Sequence, residues 1–419
     1  MRCASAVLLP ALLALFATTL TSGTAYGQKR AKKKKLPSWA IDPYTNKNDP
    51  SILKKVGYVS YGPFEFGDNG TTSTDVSATL GKAKIRWIET KHFKFGLDLS
   101  PWAIPNNKAL KLRIRNELAE LQERGFVKIS PRVRRLDPWL RIHLNIMRLE
   151  KLYEDFEKRL GVTEKDFPTK RNTFINNKYM GEGPYLGQPS KYTILVTRKL
   201  ADYSRYLQTY IGVVQEQAKR HNFKQSGSLF LGSSEELESN RNKNDVALHT
   251  HLVWNTTHNL LCGFRLYTHD LPVWWSEGCA HWFARKISKK WDNFDQNESA
   301  VADLRAIEKW NVKTRQYIGR GNITPIAELI NWRDFGQLKF RDHVISWSLV
   351  DFVMNKYGDK GFRDYMFEMH EILDAKTGKN LARDIPGLQR KAMRKAWKTN
   401  ALKLTEEWKE WVLSTYPVK

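Results

Sequence analysis

Two neighbouring stretches decide how this chain is interpreted: HTHLVWNTTHNLLC at residues 249–262 and LPVWWSEGCAHWF at residues 271–283. In the first stretch His251, Asn255, His258 and Cys262 follow one another at steps of four, three and four, which places them along one face of a helix. Pro272 stands where a helix commonly begins, since proline is tolerated in the first turn. We therefore predict helices at 245–262 and 272–289, packed antiparallel against each other.

The second stretch resembles the P-x-W-x-x-E-G-x-A-x-x-F helix that carries the third zinc ligand of gluzincin metallopeptidases, and it is most similar to peptidase-MA-like proteins of secreted bacterial sequences. In that superfamily an H-E-x-x-H helix supplies two zinc-binding His residues and a Glu general base. Here His258 precedes Glu277 by 19 residues, which matches the family's spacing between the second His and the ligand Glu. The resemblance implies a thermolysin-like fold.

The first stretch departs from the family motif at the residues that carry its chemistry. Trp254 stands where the first zinc-binding His belongs, and Asn255 stands at the general-base position. Indole does not coordinate zinc, and a carboxamide cannot take a proton from a metal-bound water near neutral pH. His343 stands where the family commonly has a Tyr, at a possible oxyanion position. We therefore expect no catalytic residues and lean towards a protein that is not an enzyme.

The metal ligands that remain are His258, Glu277 and His281, so we expect either no cofactor or weakly bound zinc. His281 lies one turn after Glu277 and could be a ligand or simply pack there. Cys262 lies one turn after His258, so these four side chains could also form a soft metal site. Cys262 and Cys279 could instead form a disulfide or remain free buried thiols, and the sequence leaves both possibilities open.

The N-terminal residues predict export. Residues 1–27 have the pattern of a signal peptide, with Arg2 before an apolar run from Ala6 to Leu20 and small residues after it. Residues 28–84 are predicted to be a basic arm and an irregular linker, since six of the eight residues at 28–35 are Lys or Arg. We expect a secreted or periplasmic protein.

The chain is strongly basic, with 69 Lys and Arg residues against 44 Asp and Glu residues and a formal charge of +25. This charge favours polyanionic partners. No motif for specific recognition of nucleic acid is visible. No segment of the mature chain approaches the ~18 apolar residues that a membrane-spanning helix needs. We expect the partner to be a peptide or a polyanionic envelope polymer.

The pattern along the chain predicts an α+β protein. A small mixed sheet in the N-terminal part, residues 85–244, is expected to pack on a mainly helical part, residues 245–415. The remaining predicted elements are strands at 87–99, 192–196 and 226–231 and helices at 138–161, 202–221, 298–311, 341–357, 359–373 and 389–415.

These features together predict an exported, gluzincin-like pseudopeptidase. It would bind peptide or envelope polymer through the old cleft, the one that corresponds to the active site of the peptidases. One alternative is an active zinc metallohydrolase with rebuilt ligands at His258, Glu277 and His281. The other is a cationic structural protein that binds the cell envelope and has no function in the cleft. Zinc content distinguishes the pseudopeptidase from the active metallohydrolase. Binding that survives mutation of the cleft but is lost when the basic arm is removed would identify the structural protein.

Overall fold

The computed structural model describes residues 36–171, 173–176, 178–269, 271–294, 308–374, 379, 381 and 383–419. From Ser38 to Lys419 the chain forms one compact unit. The predicted signal peptide and the basic segment 28–35 lie outside the described residues, as does most of the helix predicted at 298–311.

The elements of the described residues are numbered in chain order. The helices are α1 (Pro50–Val56), α2 (Ser73–Leu80), α3 (Lys108–Arg124), α4 (Pro138–Leu160), α5 (Leu200–Tyr210), α6 (Leu237–Asn240), α7 (Asp245–Gly263), α8 (Val273–Arg285), α9 (Trp310–Gly319), α10 (Ile326–Leu329), α11 (Phe340–Met369), α12 (Ile385–Trp397) and α13 (Ala401–Thr415). The strands are β1 (Tyr58–Ser60), β2 (Arg86–Thr90), β3 (Phe93–Leu97), β4 (Trp102–Ala103), β5 (Arg135–Leu136), β6 (Phe174–Ile175), β7 (Lys178–Tyr179), β8 (Tyr192–Thr197), β9 (Lys219–Phe223) and β10 (Ser228–Ser234).

Six strands form one mixed sheet in the order β1-β2-β3-β8-β10-β9. The β3–β8 and β8–β10 pairs are parallel, and the other three pairs are antiparallel. Every residue of β8 and β10 is buried, as expected for central strands that are covered on both faces. The fold is therefore α+β, with a small sheet and a helical C-terminal half, as the sequence predicts.

The long helix α4 shows how local signals set the boundaries. The Asp137 carboxylate accepts hydrogen bonds from the backbone N–H groups of Trp139 and Leu140, and Pro138 occupies the first helical position. Gly161 ends the helix in the left-handed region at φ 61°. These boundaries match the prediction because capping depends on neighbouring residues alone.

The helix predicted at 202–221 is wrong in its second half. The chain leaves α5 after Tyr210 and turns at Gly212, where φ is +76°. The following residues form β9 at the edge of the sheet, where Phe223 pairs with Ser228 of β10. Pairing with a neighbouring strand therefore overrides the helical pattern of this segment.

Two further predictions need correction. The segment before residue 85, expected to be an irregular linker with short strands, also contains the helices α1 and α2, and its short strand β1 is the edge strand of the sheet. The single helix predicted at 389–415 is two helices, since Lys398 adopts a left-handed conformation and Asn400 caps α13. In contrast, the predicted break between 357 and 359 is confirmed by the non-helical backbone of Gly358 within α11.

Helix α7 lies at the centre of the molecule, where it packs against α4, α8 and β10. Helix α8 also packs along α11, so α7, α8 and α11 meet around one buried region. None of the described helices is long and apolar enough to cross a membrane.

Candidate functional site

Helices α7 and α8 run antiparallel, as their side-chain contacts show. Asn244 caps α7 by accepting hydrogen bonds from two backbone N–H groups of its first turn. Near the middle of α7, Trp254 packs with Ala280 and Ala284 of α8. One turn further along α7, His258 contacts Glu277 near the start of α8, with 3.3 Å between His258 Nε2 and Glu277 Oε1. The predicted proximity of these two residues is confirmed.

Glu277 is surrounded by three imidazole rings. Besides His258, its Oε2 atom lies 3.6 Å from His281 Nε2 and 3.6 Å from His343 Nδ1. His281 and His343 are themselves 3.1 Å apart, between Nε2 and Nδ1. Glu277, His281 and His343 form a set whose ligand atoms all lie within 4.8 Å of one another, and His258 is not part of that set.

Burial governs the charge of this cluster. The exposed fraction is 2% for His258 and 0% for the other three residues. Burial alone raises the pKa of Glu277, but His258 and His343 outweigh it and hold that pKa well below its usual range. Burial lowers the pKa of His281 well below 6.5, and His343 adds to the effect. Glu277 is therefore ionised and His281 is neutral at neutral pH.

Trp254 and Asn255 are enclosed by neighbours from the sheet and from α7. The Trp254 ring meets the His258 ring edge-on, with 4.6 Å between their centroids, and lies 6.2 Å from His281. The guanidinium of Arg220 on β9 lies 5.0 Å above the Trp254 ring, and its Nη1 donates to Asn255 Oδ1 at 3.2 Å. A fixed cation therefore lies against both Trp254 and Asn255.

His251, two turns before His258 on α7, belongs to a different environment. Its Nδ1 donates to Asn293 Oδ1 at 3.1 Å, and its Nε2 accepts from the Ser233 hydroxyl at 2.9 Å. Asn255 Nδ2 donates to the backbone carbonyl of His251 at 3.0 Å. These partners fix His251 as a neutral imidazole away from Glu277.

The two cysteines do not pair. Cys262 is partly buried and Cys279 is buried, and both are free thiols, so the disulfide alternative is wrong. Burial raises the pKa of Cys262 to about 11, which keeps its thiol protonated. The metal-binding set of the described residues contains no cysteine, so the soft site with Cys262 gains no support.

Two residues of the site escaped sequence reasoning about ligands. The sequence suggests His343 as a possible oxyanion residue but not as a metal ligand, because its distance from Glu277 along the chain gives no sign that the two side chains would meet. Arg220 lies on a strand that the pattern predicted as helix. Both reach the site only because α11 and β9 fold against α8 and α7.

A second polar feature is a cleft of about 510 Å³ beside helix α5, which contributes Ala201, Asp202 and Arg205 to its lining. Its charged lining consists of five cations and two carboxylates: Lys82, Lys84, Arg198, Lys199, Arg205, Asp98 and Asp202. Asp98 is paired with Arg198 at 2.9 Å, and Asp202 lies 3.6 Å from Arg205. The three lysines are exposed, so the cleft presents net positive charge to solvent.

Comparison of the sequence with protein-family models and with curated proteins found no match.

Proposed function

We propose that this chain is an exported, gluzincin-like pseudopeptidase with a thermolysin-like fold, which binds an anionic polymer and does not cleave peptides. One observation carries the proposal: Trp254 packs against His258 and His281 beside Glu277, where the resemblance requires a zinc-binding imidazole. The family's zinc therefore does not fit at its usual place, because one of its three protein ligands is an indole.

The residue at the general-base position supports the proposal as well. Asn255 cannot accept a proton, and the Arg220 guanidinium donates to its side-chain oxygen. A cation beside this position lowers the proton affinity of any base placed there. Losing the general base alone typically costs ~10²–10⁴ in rate, before any loss of metal.

The basic cleft favours an anionic polymer over a peptide as the partner. The described side chains around Glu277 are buried, whereas Lys82, Lys84 and Lys199 are exposed around a cleft large enough for several polymer groups. The polymer would therefore bind to the exposed lysines of this cleft rather than to the buried residues around Glu277. The second candidate, a cationic envelope-binding structural protein, would bind through the same surface, so polymer binding alone does not distinguish the two.

Incubation of the purified protein with unstructured fluorogenic peptides, with and without 1,10-phenanthroline, tests the proposal. We expect no chelator-sensitive hydrolysis, because both the first ligand and the base are replaced. Glu277→Gln identifies contaminating activity, which the substitution would leave unchanged. His269→Gln, at an exposed histidine, is the matched control for substitution itself.

Hydrolysis that the chelator and Glu277→Gln both abolish, and that His269→Gln leaves intact, would contradict the proposal. The active metallohydrolase with ligands His258, Glu277 and His281 would then replace it.

A further inference from the structure

Glu277, His281 and His343 bring three metal-binding atoms together where α8 packs on α11. The separations are 3.6 Å from Glu277 Oε2 to each histidine nitrogen and 3.1 Å between the two nitrogens. One point lies about 2.0 Å from all three atoms, which is the bond length of zinc to imidazole nitrogen and carboxylate oxygen. We propose that these three side chains bind a divalent metal ion, and that zinc is the ion their donor set favours.

The carboxylate of Glu277 gives an independent reason for an ion. Both of its oxygens are buried, and the imidazole nitrogens of His258, His281 and His343 lie 3.3–3.6 Å from them. The contacts of 3.3–3.6 Å to the imidazole nitrogens are longer than the usual 2.7–3.2 Å of an N–H···O bond. A divalent ion between the three ligands would shorten these contacts to coordinate bonds and add positive charge beside the buried carboxylate.

This site differs from the one that the resemblance implies. Its two histidines lie on α8 and α11, whereas the family draws two ligands from the helix that corresponds to α7. His258 on α7 contacts the other oxygen of Glu277 and can orient the carboxylate from outside the ligand set. The ion would therefore link α8 to α11 and stabilise their contact, whether or not the protein cleaves peptides.

The competing explanation is a cluster without metal, in which one of the two imidazoles donates a hydrogen bond to the other across 3.1 Å. The two explanations predict different metal contents and different responses of the folded protein to zinc. Binding of an ion to the native state alone raises the unfolding temperature, and zinc at about 100 times Kd should raise it by a few degrees.

Elemental analysis of the purified full chain after dialysis is the first measurement. We expect about one zinc per chain, removed by dipicolinate with a lower unfolding temperature and restored by added zinc. Cobalt(II) added to the metal-free protein should give the visible absorption bands of a tetrahedral or five-coordinate site. His343→Gln should abolish those bands and the thermal response to zinc.

His370→Gln is the matched control, because His370 is also fully buried at the end of α11 but contacts Phe264 rather than Glu277. It should keep the cobalt bands even if it lowers stability. A folded wild-type protein with less than a tenth of an equivalent of zinc and no cobalt bands would overturn the proposal. Bands that persist in His343→Gln would also overturn it. If the protein retains zinc and does not hydrolyse peptides, both the metal site and the pseudopeptidase are supported. If it retains zinc and hydrolyses peptides, the metal site is still supported and the pseudopeptidase is contradicted.

Discussion

Arg220 contacts both Trp254 and Asn255 in the interior of the protein. Its guanidinium stacks on the indole and donates to Asn255, so one cation satisfies an aromatic face and a buried carboxamide together. Both α7 residues therefore interact with one residue from a distant part of the chain.

His251 gives the clearest pH dependence at the residue scale. Burial lowers its pKa from 6.5 to about 4, so the folded state binds a proton less readily than the unfolded state. Its contribution to stability is complete above pH 6.5 and is lost as the pH falls towards 4. We expect this residue to contribute up to about 3 kcal/mol of the acid-induced loss, measured as the free energy of unfolding against pH.

The His251→Gln variant should show a shallower loss between pH 6.5 and 4, because glutamine has no proton to gain. His269→Gln changes an exposed histidine and should leave the slope unchanged. Equal slopes for wild type and His251→Gln would show that this histidine does not couple folding to protonation. His249 and His370 also have pKa values well below 6.5, lowered by burial, so part of the slope remains in either variant.

At the scale of elements, buried ion pairs attach α7 to α4. Asp245 in the first turn of α7 accepts from Arg148 at 2.8 Å and from Arg141 at 3.3 Å, and all three side chains are buried. Burial raises the pKa of Asp245, but Arg148 and Arg141 together hold it below its usual value. The pairs fix where α7 begins and therefore where His258 lies relative to α8.

The contact between α8 and α11 depends on Gly278. A Cβ atom at this position would lie 2.4 Å from the backbone oxygen of Ser346 and 2.7 Å from Val350 Cγ2. Because the backbone of α11 cannot yield easily, we expect Gly278→Ala to destabilise the protein by about 1–3 kcal/mol. Chemical denaturation of the purified variant measures the change as a shift in midpoint.

Gly319→Ala is the matched control at the end of α9, where an added Cβ would meet nothing within 4 Å. It should be neutral or stabilise by up to about 1 kcal/mol, since alanine loses less conformational entropy on folding. If Gly278→Ala and Gly319→Ala shift the denaturation midpoint equally, the close approach of α8 and α11 is not the reason for glycine at position 278.

At the scale of the whole molecule, positive charge is the dominant surface property. Of the formal charge of +25, +18 remain without Arg2 and the six cations of the segment 28–35. The basic cleft concentrates part of this charge beside α5. Long-range attraction of polyanions follows from such a distribution, and it weakens as salt screens the charges.

We predict salt-sensitive binding to duplex DNA, used as a convenient polyanion. Changing Lys82, Lys84 and Lys199 to Gln should weaken binding and lower the magnitude of the log–log salt slope by up to about 3. Deleting residues 28–35 should lower it by up to about 5, since each neutralised phosphate contributes roughly 0.9. Fluorescence anisotropy across a salt series measures both effects.

The control replaces three exposed lysines outside the cleft, Lys108, Lys158 and Lys165, by Gln. It removes the same charge, so only a larger effect of the cleft variant identifies the cleft as the binding surface. Equal effects would mean that net charge alone attracts the polymer. An unchanged slope after deletion of residues 28–35 would exclude that segment from binding.

Sequence spacing predicted part of the site well. The resemblance, through its 19-residue interval between His258 and Glu277, implied that these two residues lie close together, and they are in contact in the structure. It did not indicate that His343 would join Glu277 and His281, because a separation of more than 60 residues along the chain carries no local signal of contact.

What the sequence by itself determined are features set by neighbouring residues: the caps of α4, the buried strand β8, the break at Gly358 and the basic charge. Only the tertiary structure decided that residues 219–223 pair as a strand and bring Arg220 onto Trp254. Only it brought His343 onto Glu277. The physical reason is that capping and periodicity act within a few residues, whereas strand pairing and helix packing depend on which distant surfaces bury each other best.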